Sequence, residues 1–241
     1  MAQIFRFTVK FFKELVRRPY EFGETIRQCY IIGYRTLPLV GITGFIMGLV
    51  LTIQSRPTLK EFGAESWLPA MVAISIIREI GPVITAIICA GKIGSSIGAE
   101  LASMKVTEQI DAMRVSARKP FKYLAVTRII ATTLMIPILV IFSDIISLMG
   151  SFIACNLQGE VSFTLFFYHV FEKVNFIDLI PAFIKTIFFG FAIGLISTYK
   201  GFNAEKGTEG VGRSANSSVV TASLLVFIID MIAVQITSLF Y

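Results

Sequence analysis

An arginine and a glutamate stand side by side in a long apolar run, where they could recognise the headgroup of a lipid. Arg78 and Glu79 interrupt an otherwise apolar segment over 66–91, and a charge at the centre of a membrane helix costs about 2.5 to 3.5 kcal/mol. Pro82 removes the helical hydrogen bond to the Arg78 carbonyl, so we expect a kink. A guanidinium, a carboxylate and a carbonyl at one depth could hold an anionic headgroup. A structural ion pair between helices would account for the same residues.

Three further ionisable residues lie inside apolar runs. Lys185 is close enough to the end of its run to extend its amine to the membrane interface, so both a functional and a structural role are open. Asp144 and Asp230 are expected to serve helix packing. Nothing near them in sequence supplies a base, a metal ligand or a nucleophile, so we expect no catalytic residue and no metal site.

These residues require membrane helices to position them. The chain of 241 residues is 55% hydrophobic and only 16% charged, whereas soluble domains are about a quarter charged, which argues against a soluble enzyme or a nucleic-acid-binding protein. Cys29, Cys89 and Cys155 are too far apart for a CxxC metal site and are expected to be small buried residues.

Five apolar runs are long enough to cross a membrane as helices. A membrane helix needs about 20 mostly apolar residues, and the runs are too long for barrel strands. The sequence therefore predicts an all-α membrane protein with a single domain over 35–241 and a long connection over 92–128. The predicted spans are 36–55, 66–91, 129–156, 179–199 and 214–240.

The distribution of Lys and Arg predicts the orientation of these spans. Seventeen basic residues fall in the segments 1–35, 92–128 and 200–213, whereas Arg56, Lys60 and Lys173 are on the other side. Basic residues are enriched in cytoplasmic loops. We therefore expect a cytoplasmic N-terminus and a C-terminus across the membrane.

The segment 1–34 is predicted to form a helix in the plane of the membrane interface, with Pro19 ending it. Apolar residues at helical spacing lie beside a basic stripe, which is typical of interfacial helices; a solvated tail is the alternative. The apolar residues are Phe5, Val9, Phe12 and Val16, and the basic residues are Arg6, Lys10, Lys13 and Arg17.

The connection over 92–128 is patterned rather than irregular. Small residues at four-residue spacing predict that the second span continues inward as a closely packed helix; they are Ala90, Gly94, Gly98 and Ala102. Thr107 is then a plausible N-cap of a short amphipathic helix over 108–114, with Ile110 and Met113 on one face. Such a helix could dock on a partner protein or be an ordinary connector.

Glycines elsewhere suggest close packing, not nucleotide binding. The segment 200–213 lacks the GxxxxGK[ST] pattern of a phosphate-binding loop. Energy for any transport must then come from an ion gradient or from another subunit. Two glycine pairs are expected to be packing ridges that could face another copy of the chain; they are Gly44 with Gly48 and Gly190 with Gly194.

Several of these motifs together resemble the MlaE (YrbE) family of ABC-transporter permeases. The resemblance is carried by the runs Arg78-Glu79-Ile80-Gly81-Pro82-Val83, Ala90-Gly91-Lys92-Ile93-Gly94-Ser95, Ala99-Glu100-Leu101 and Met104 to Met113. It extends to Pro137, Asp144, Gly201 and Asp230.

This resemblance implies a homodimer in the bacterial inner membrane with two cytoplasmic ATPase subunits and a periplasmic MCE-domain protein. The cargo would be phospholipid moved between the inner and outer membranes, which maintains outer-membrane lipid asymmetry. No cofactor is expected in this chain, since ATP and magnesium would bind to the ATPase.

The resemblance also implies roles for particular residues. The ATPase-coupling residues would be Thr107, Glu108, Gln109, Asp111 and Met113. The candidate lipid-binding residues are Arg78, Glu79, Leu51, Gln54, Leu59, Phe62 and Lys185. Arg56 and Pro57 depart from the pattern, because they interrupt the end of the first span where apolar residues are expected.

Two other functions remain open from the residues alone. Asp144, Asp230 and Glu79 could form the proton relay of an ion-coupled secondary transporter. The chain could also be a membrane anchor that transports nothing. Five spans show no inverted repeat of the kind common in secondary transporters.

Overall fold

The computed structural model describes residues 2–18, 20–116, 119–158, 162–174 and 176–239, and this part of the chain is almost entirely helical. Five of its helices are long and apolar enough to cross a membrane, which confirms the all-α prediction. We call them spans 1 to 5; they are Phe22–Glu61, Glu65–Val106, Phe121–Leu157, Leu179–Phe202 and Thr208–Thr237. The shorter helices are Ala2–Val16, Gln109–Val115 and Phe163–Lys173.

The spans alternate in direction, so the bundle has two ends. We call the end where span 1 begins and span 2 finishes the basic end, and the other the opposite end. Spans 1 and 5 start earlier than predicted, at Phe22 and Thr208. The first turns contain polar residues, so a search for apolar runs did not include them, although they belong to the same helices. The predicted end of span 5 at residue 240 lies outside the described residues.

Arg56 and Pro57 do not interrupt span 1, contrary to the sequence-based expectation. The helix continues through Pro57 to Glu61. The Arg56 guanidinium lies 2.6 Å from a carboxylate oxygen of Glu65, at the start of span 2. This ion pair connects the two helices across their short turn, which gives the arginine a structural role at the opposite end.

Span 2 is one continuous helix in which two turns widen to π-helical geometry. These turns are Ile76–Ile80 and Ala90–Gly94. The first includes Arg78 and ends just before Pro82, where the sequence predicted a disturbed hydrogen bond. Short π-helical segments within α-helices are frequent at functional sites.

Small residues bring the spans into close contact, as predicted, but within one chain. A Cβ atom on Gly98 would lie 2.5 Å from the Ser218 hydroxyl oxygen of span 5. Gly44 and Gly48 lie against Ser147 of span 3, whose hydroxyl donates a hydrogen bond of 2.8 Å to the Gly44 carbonyl. The expectation that these glycines could face another copy was therefore wrong for this pair.

The second glycine pair also packs inside the chain. A Cβ atom on Gly190 would lie 2.6 Å from the Thr132 carbonyl oxygen, and Gly194 contacts the Thr132 side chain. Span 4 consequently lies directly on span 3. The buried core between the spans is apolar, with Val40, Ala86 and Ile193 among its fully buried members, and such burial supplies the main packing energy.

The N-terminal helix Ala2–Val16 forms as predicted but carries two apolar faces. The predicted face is exposed, and Phe5 and Val16 are its most exposed members. A second face, which the sequence analysis did not recognise, packs on the start of span 3 through Phe7, Phe11 and Leu15. Pro19, the predicted end of the helix, lies outside the described residues.

The segment between spans 3 and 4 contains a helix that the sequence analysis treated as loop. Phe163–Lys173 covers the opposite end of the bundle, and Phe166 and Val170 are fully buried there. They pack against Leu68 and Val72 of span 2. His169 also lies on this helix.

Candidate functional site

A lysine from span 4 joins two carboxylates from two other spans inside the bundle. The Lys185 amine lies 2.7 Å from a carboxylate oxygen of Glu79 and 2.9 Å from one of Asp230. The Lys185 side chain is only 5% exposed, whereas those of Glu79 and Asp230 are 45% and 18% exposed. We call these three residues the ionic cluster. It carries one positive and two negative formal charges and connects spans 2, 4 and 5.

The burial of Lys185 differs from the expectation that its amine reaches the membrane interface. Two carboxylates draw the amine inward, and the ion pairs offset part of the cost of removing it from water. Asp230, expected to serve packing, bonds this lysine, so it holds span 5 to span 4 by charge rather than by shape alone.

The π-helical turn of span 2 positions the first member of the cluster. Glu79 lies in this turn, and its Oε2 atom accepts the hydrogen bond from Lys185 across the bundle. The sequence left open a structural ion pair between helices at this position, and Glu79 forms one with Lys185 of span 4.

Gly81 allows a third acidic residue to approach this turn. A Cβ atom on Gly81 would collide with the Asp144 carboxylate of span 3. The Oδ1 atom of Asp144 is buried and makes no hydrogen bond to the described residues. Any side chain at position 81 would displace Asp144, so the glycine is required for this close approach.

Two largely apolar cavities adjoin the ionic cluster. One, of about 430 Å³, lies between spans 2, 3 and 4 and includes Pro82, Pro137, Asp144 and Phe183 in its wall. The other, of about 470 Å³, lies between spans 4 and 5 and includes Lys185 itself with Phe188 and Ile232. Charged groups beside apolar space suit an amphiphilic ligand better than a small ion.

The residues expected to form the wall of a lipid cavity occupy two kinds of position. Gln54 and Phe62 are exposed on span 1 and at its end. Leu51 and Leu59 are half-buried against the apolar cluster of the opposite end. Of these four, Gln54 and Phe62 therefore present the more accessible surface to a ligand.

The predicted short helix after span 2 exists, with a different start. It comprises Gln109–Val115, and Glu108 precedes it with a left-handed φ of 59°. Thr107 was predicted as the N-cap, but it ends span 2 and donates its hydroxyl hydrogen bond back to the Ser103 carbonyl at 2.8 Å. The left-handed residue turns the chain sharply between the two helices.

This short helix, which we call the loop helix, has one face on the bundle and one face in the open. Ile110 is buried and Met113 packs on the main core, which confirms that they share an inward face. Gln109, Asp111 and Val115 are exposed, and Asp111 bonds Arg114 at 2.6 Å. The outward face is therefore available to a partner protein.

The chain is similar in sequence to known permeases. The family described as Permease MlaE matches residues 25–236. A probable ABC transporter permease protein of Rickettsia prowazekii is 39% identical over 94% of this chain and 86% of its own length. An intermembrane phospholipid transport system permease protein, MlaE of Haemophilus influenzae, is 32% identical over 89% of this chain and 83% of its own length.

Proposed function

The chain belongs to the MlaE family of permeases, and from that membership we propose that it moves phospholipid between the bacterial inner membrane and a periplasmic MCE-domain protein. Two copies form the membrane part of an ABC transporter. ATP and magnesium bind to a separate ATPase subunit, which supplies the energy. The transport maintains the lipid asymmetry of the outer membrane.

The observation that carries this proposal is the ionic cluster beside apolar cavities. Charged groups inside a membrane bundle are costly and are retained where they pair or contact a polar ligand. Glu79 is the most exposed member of the cluster, and Arg78 lies in the same π-helical turn. We place the phospholipid phosphate at the Arg78 guanidinium, which can form two parallel hydrogen bonds.

The acyl chains would lie along apolar surfaces nearby. The proposed lipid-binding surface includes Phe62 and Gln54, which are exposed, and Leu51 and Leu59, which are half-buried. Lys185 contributes by holding Glu79 in place. We expect the basic end to face the cytoplasm, so the proposed lipid site would be reached from the periplasm at the opposite end.

The loop helix is the proposed contact with the ATPase. It lies at the basic end, and its exposed residues include Gln109 and Asp111. Its inward face packs on the bundle core through Ile110 and Met113. A movement of the ATPase against the outward face would therefore reach the spans directly.

Arg78 provides the direct test of lipid binding. Arg78→Ala should lower lipid transport by the complete complex about tenfold, the effect of one lost charge-assisted hydrogen bond. Arg78→Lys keeps the charge but cannot form the two parallel hydrogen bonds of arginine. Its transport rate should therefore lie between those of the unaltered protein and Arg78→Ala. Transport is measured as the ATP-dependent transfer of fluorescent phospholipid from proteoliposomes to the MCE-domain protein.

Two results would contradict this proposal. If replacing Arg78 and Glu79 together by Leu leaves transport normal, neither side chain binds the lipid, and their role is structural. If transport stops when a proton gradient is dissipated while ATP is held constant, an ion-coupled mechanism through the intramembrane carboxylates replaces the ATP-driven one.

A further inference from the structure

A narrow groove lies at the basic end, far along the bundle from the ionic cluster. It has a volume of about 290 Å³ between the N-terminal helix, the start of span 1 and the start of span 3. Most of its wall is apolar, contributed by Leu15, Phe22, Ile26, Val126, Ile130 and Leu134. The exposed side chains of Ile26 and Leu134 make the groove continuous with the lipid-facing surface of the bundle.

A buried lysine stands in the wall of this groove. Lys122, in the first turn of span 3, is only 4% exposed. Its amine donates a hydrogen bond to the Arg17 carbonyl and lies 5.2 Å from the centre of the Tyr20 ring. Among the described residues, no carboxylate oxygen lies within 4.0 Å of that amine. An ammonium group has three donors, so this one retains capacity for an anion.

The surroundings of this lysine are also basic. Arg18 and Lys119 are exposed and lie close in sequence to residues of the groove wall, and the Lys119 carbonyl accepts a hydrogen bond of 3.1 Å from the Lys122 backbone. Glu21 is the one acidic residue in the groove wall. Arg17 is exposed as well and lies 3.4 Å from Glu14. Positive charge therefore predominates at the mouth of an apolar groove.

We propose that this groove binds an anionic phospholipid of the membrane leaflet that surrounds the basic end. The phosphate contacts Lys122, and one acyl chain lies along Ile26, Ile130 and Leu134. Basic pockets between membrane helices are suited to anionic headgroups, and the apolar wall excludes a purely soluble anion. This lipid would fasten the N-terminal helix to spans 1 and 3, and its binding does not depend on the transport function proposed above.

Retention of lipid by the purified chain tests this site. The full-length protein in detergent is mixed with phosphatidylglycerol or with zwitterionic phosphatidylcholine, and bound lipid is counted by native mass spectrometry. Lys122→Gln should weaken phosphatidylglycerol binding about fivefold, the factor expected for one basic residue at an anionic surface. Lys122→Arg should retain binding. Lys206→Gln is the matched control, since it removes the same charge from an exposed loop of the basic end.

Three outcomes would overturn the proposal. Unchanged phosphatidylglycerol binding by Lys122→Gln removes the lysine from the site. Displacement of the lipid by an equal concentration of glycerol phosphate assigns the site to a soluble anion. Equal retention of phosphatidylglycerol and phosphatidylcholine by the unaltered chain contradicts charge recognition, and this measurement does not require that any variant folds.

Discussion

At the scale of single residues, the ionic cluster stabilises a buried lysine by placing two carboxylates around its amine. Lys185 is almost completely buried, and its two partners lie on two different spans. Removal of one member of a buried ion pair is far more costly than removal of all of them, because a charge is then left without a partner. The cluster should therefore respond very differently to single and to combined substitution.

Lys185→Met should destabilise the protein by about 3 kcal/mol, at the lower end of the range for a broken buried pair because Glu79 is half-exposed. The combined variant Lys185→Met, Glu79→Gln, Asp230→Asn should recover most of that loss, since it leaves no unpaired charge. Thermal unfolding in detergent micelles measures both. Equal destabilisation of the two variants would show that the side chains stabilise the fold by packing and not by their charges.

The sequence identified the members of this cluster but not their partnership. An ionisable residue inside an apolar run is easily recognised in the sequence, because its burial in a membrane costs free energy. The distances between such residues cannot be read from the sequence, because Glu79 and Lys185 are separated by 106 positions and Lys185 and Asp230 by 45. One signal was available: Lys185 needed a carboxylate partner at its own depth, and the apolar runs contain only three acidic residues, Glu79, Asp144 and Asp230.

At the scale of elements, hydropathy predicted the number of membrane helices better than their ends. Helices extend beyond apolar runs wherever polar residues retain helical hydrogen bonding, as in the first turns of spans 1 and 5. The helix Phe163–Lys173 was missed because its 11 residues are too few to cross a membrane. Its phenylalanines nevertheless recur at helical spacing, a signal that could have revealed it.

The loop helix can be tested on its exposed face without disturbing its packing. Asp111→Arg with Val115→Arg should reduce co-purification of the ATPase at least tenfold, because two new positive charges enter the proposed contact. Met113 is left intact since it packs on the core. The amount of ATPase recovered with the tagged permease is the measurement.

Lys206→Glu serves as the control for that experiment, because it changes an exposed charge in the other loop of the basic end. It should leave ATPase recovery unchanged. Normal recovery in the Asp111, Val115 variant would remove the loop helix from the ATPase contact. Loss of the permease itself from the membrane fraction would instead reveal a folding defect, which immunoblotting distinguishes.

At the scale of the whole molecule, charge asymmetry predicts how the bundle sits in the membrane. Seventeen Lys and Arg residues belong to the segments that meet at the basic end, against three at the opposite end. Fold and packing are the same for either orientation, so the bundle itself does not reveal it. The orientation is measured by the reactivity of single residues toward a reagent added to one side of the membrane.

A cysteine at Ser116 should react with an impermeant reagent only after the membrane is opened, because the basic end is expected in the cytoplasm. Cys29, Cys89 and Cys155 are first replaced by Ala, since all three are free thiols. A cysteine at Lys60, exposed at the opposite end, should react in intact cells. The reverse labelling pattern would invert the proposed topology.

The two π-helical turns also determine the directions in which the side chains of span 2 point around the helix axis. A π-helical turn contains more residues than the 3.6 of an α-helical turn, so each one rotates all later side chains relative to an unbroken α-helix. The span is thus three helical segments that do not share one angular frame. Leu68 and Val72 meet the opposite-end core, Glu79 meets Lys185, and Gly98 meets Ser218. No single helical wheel describes span 2, and a one-residue insertion or deletion in either turn would change which of these neighbours the following segment can meet.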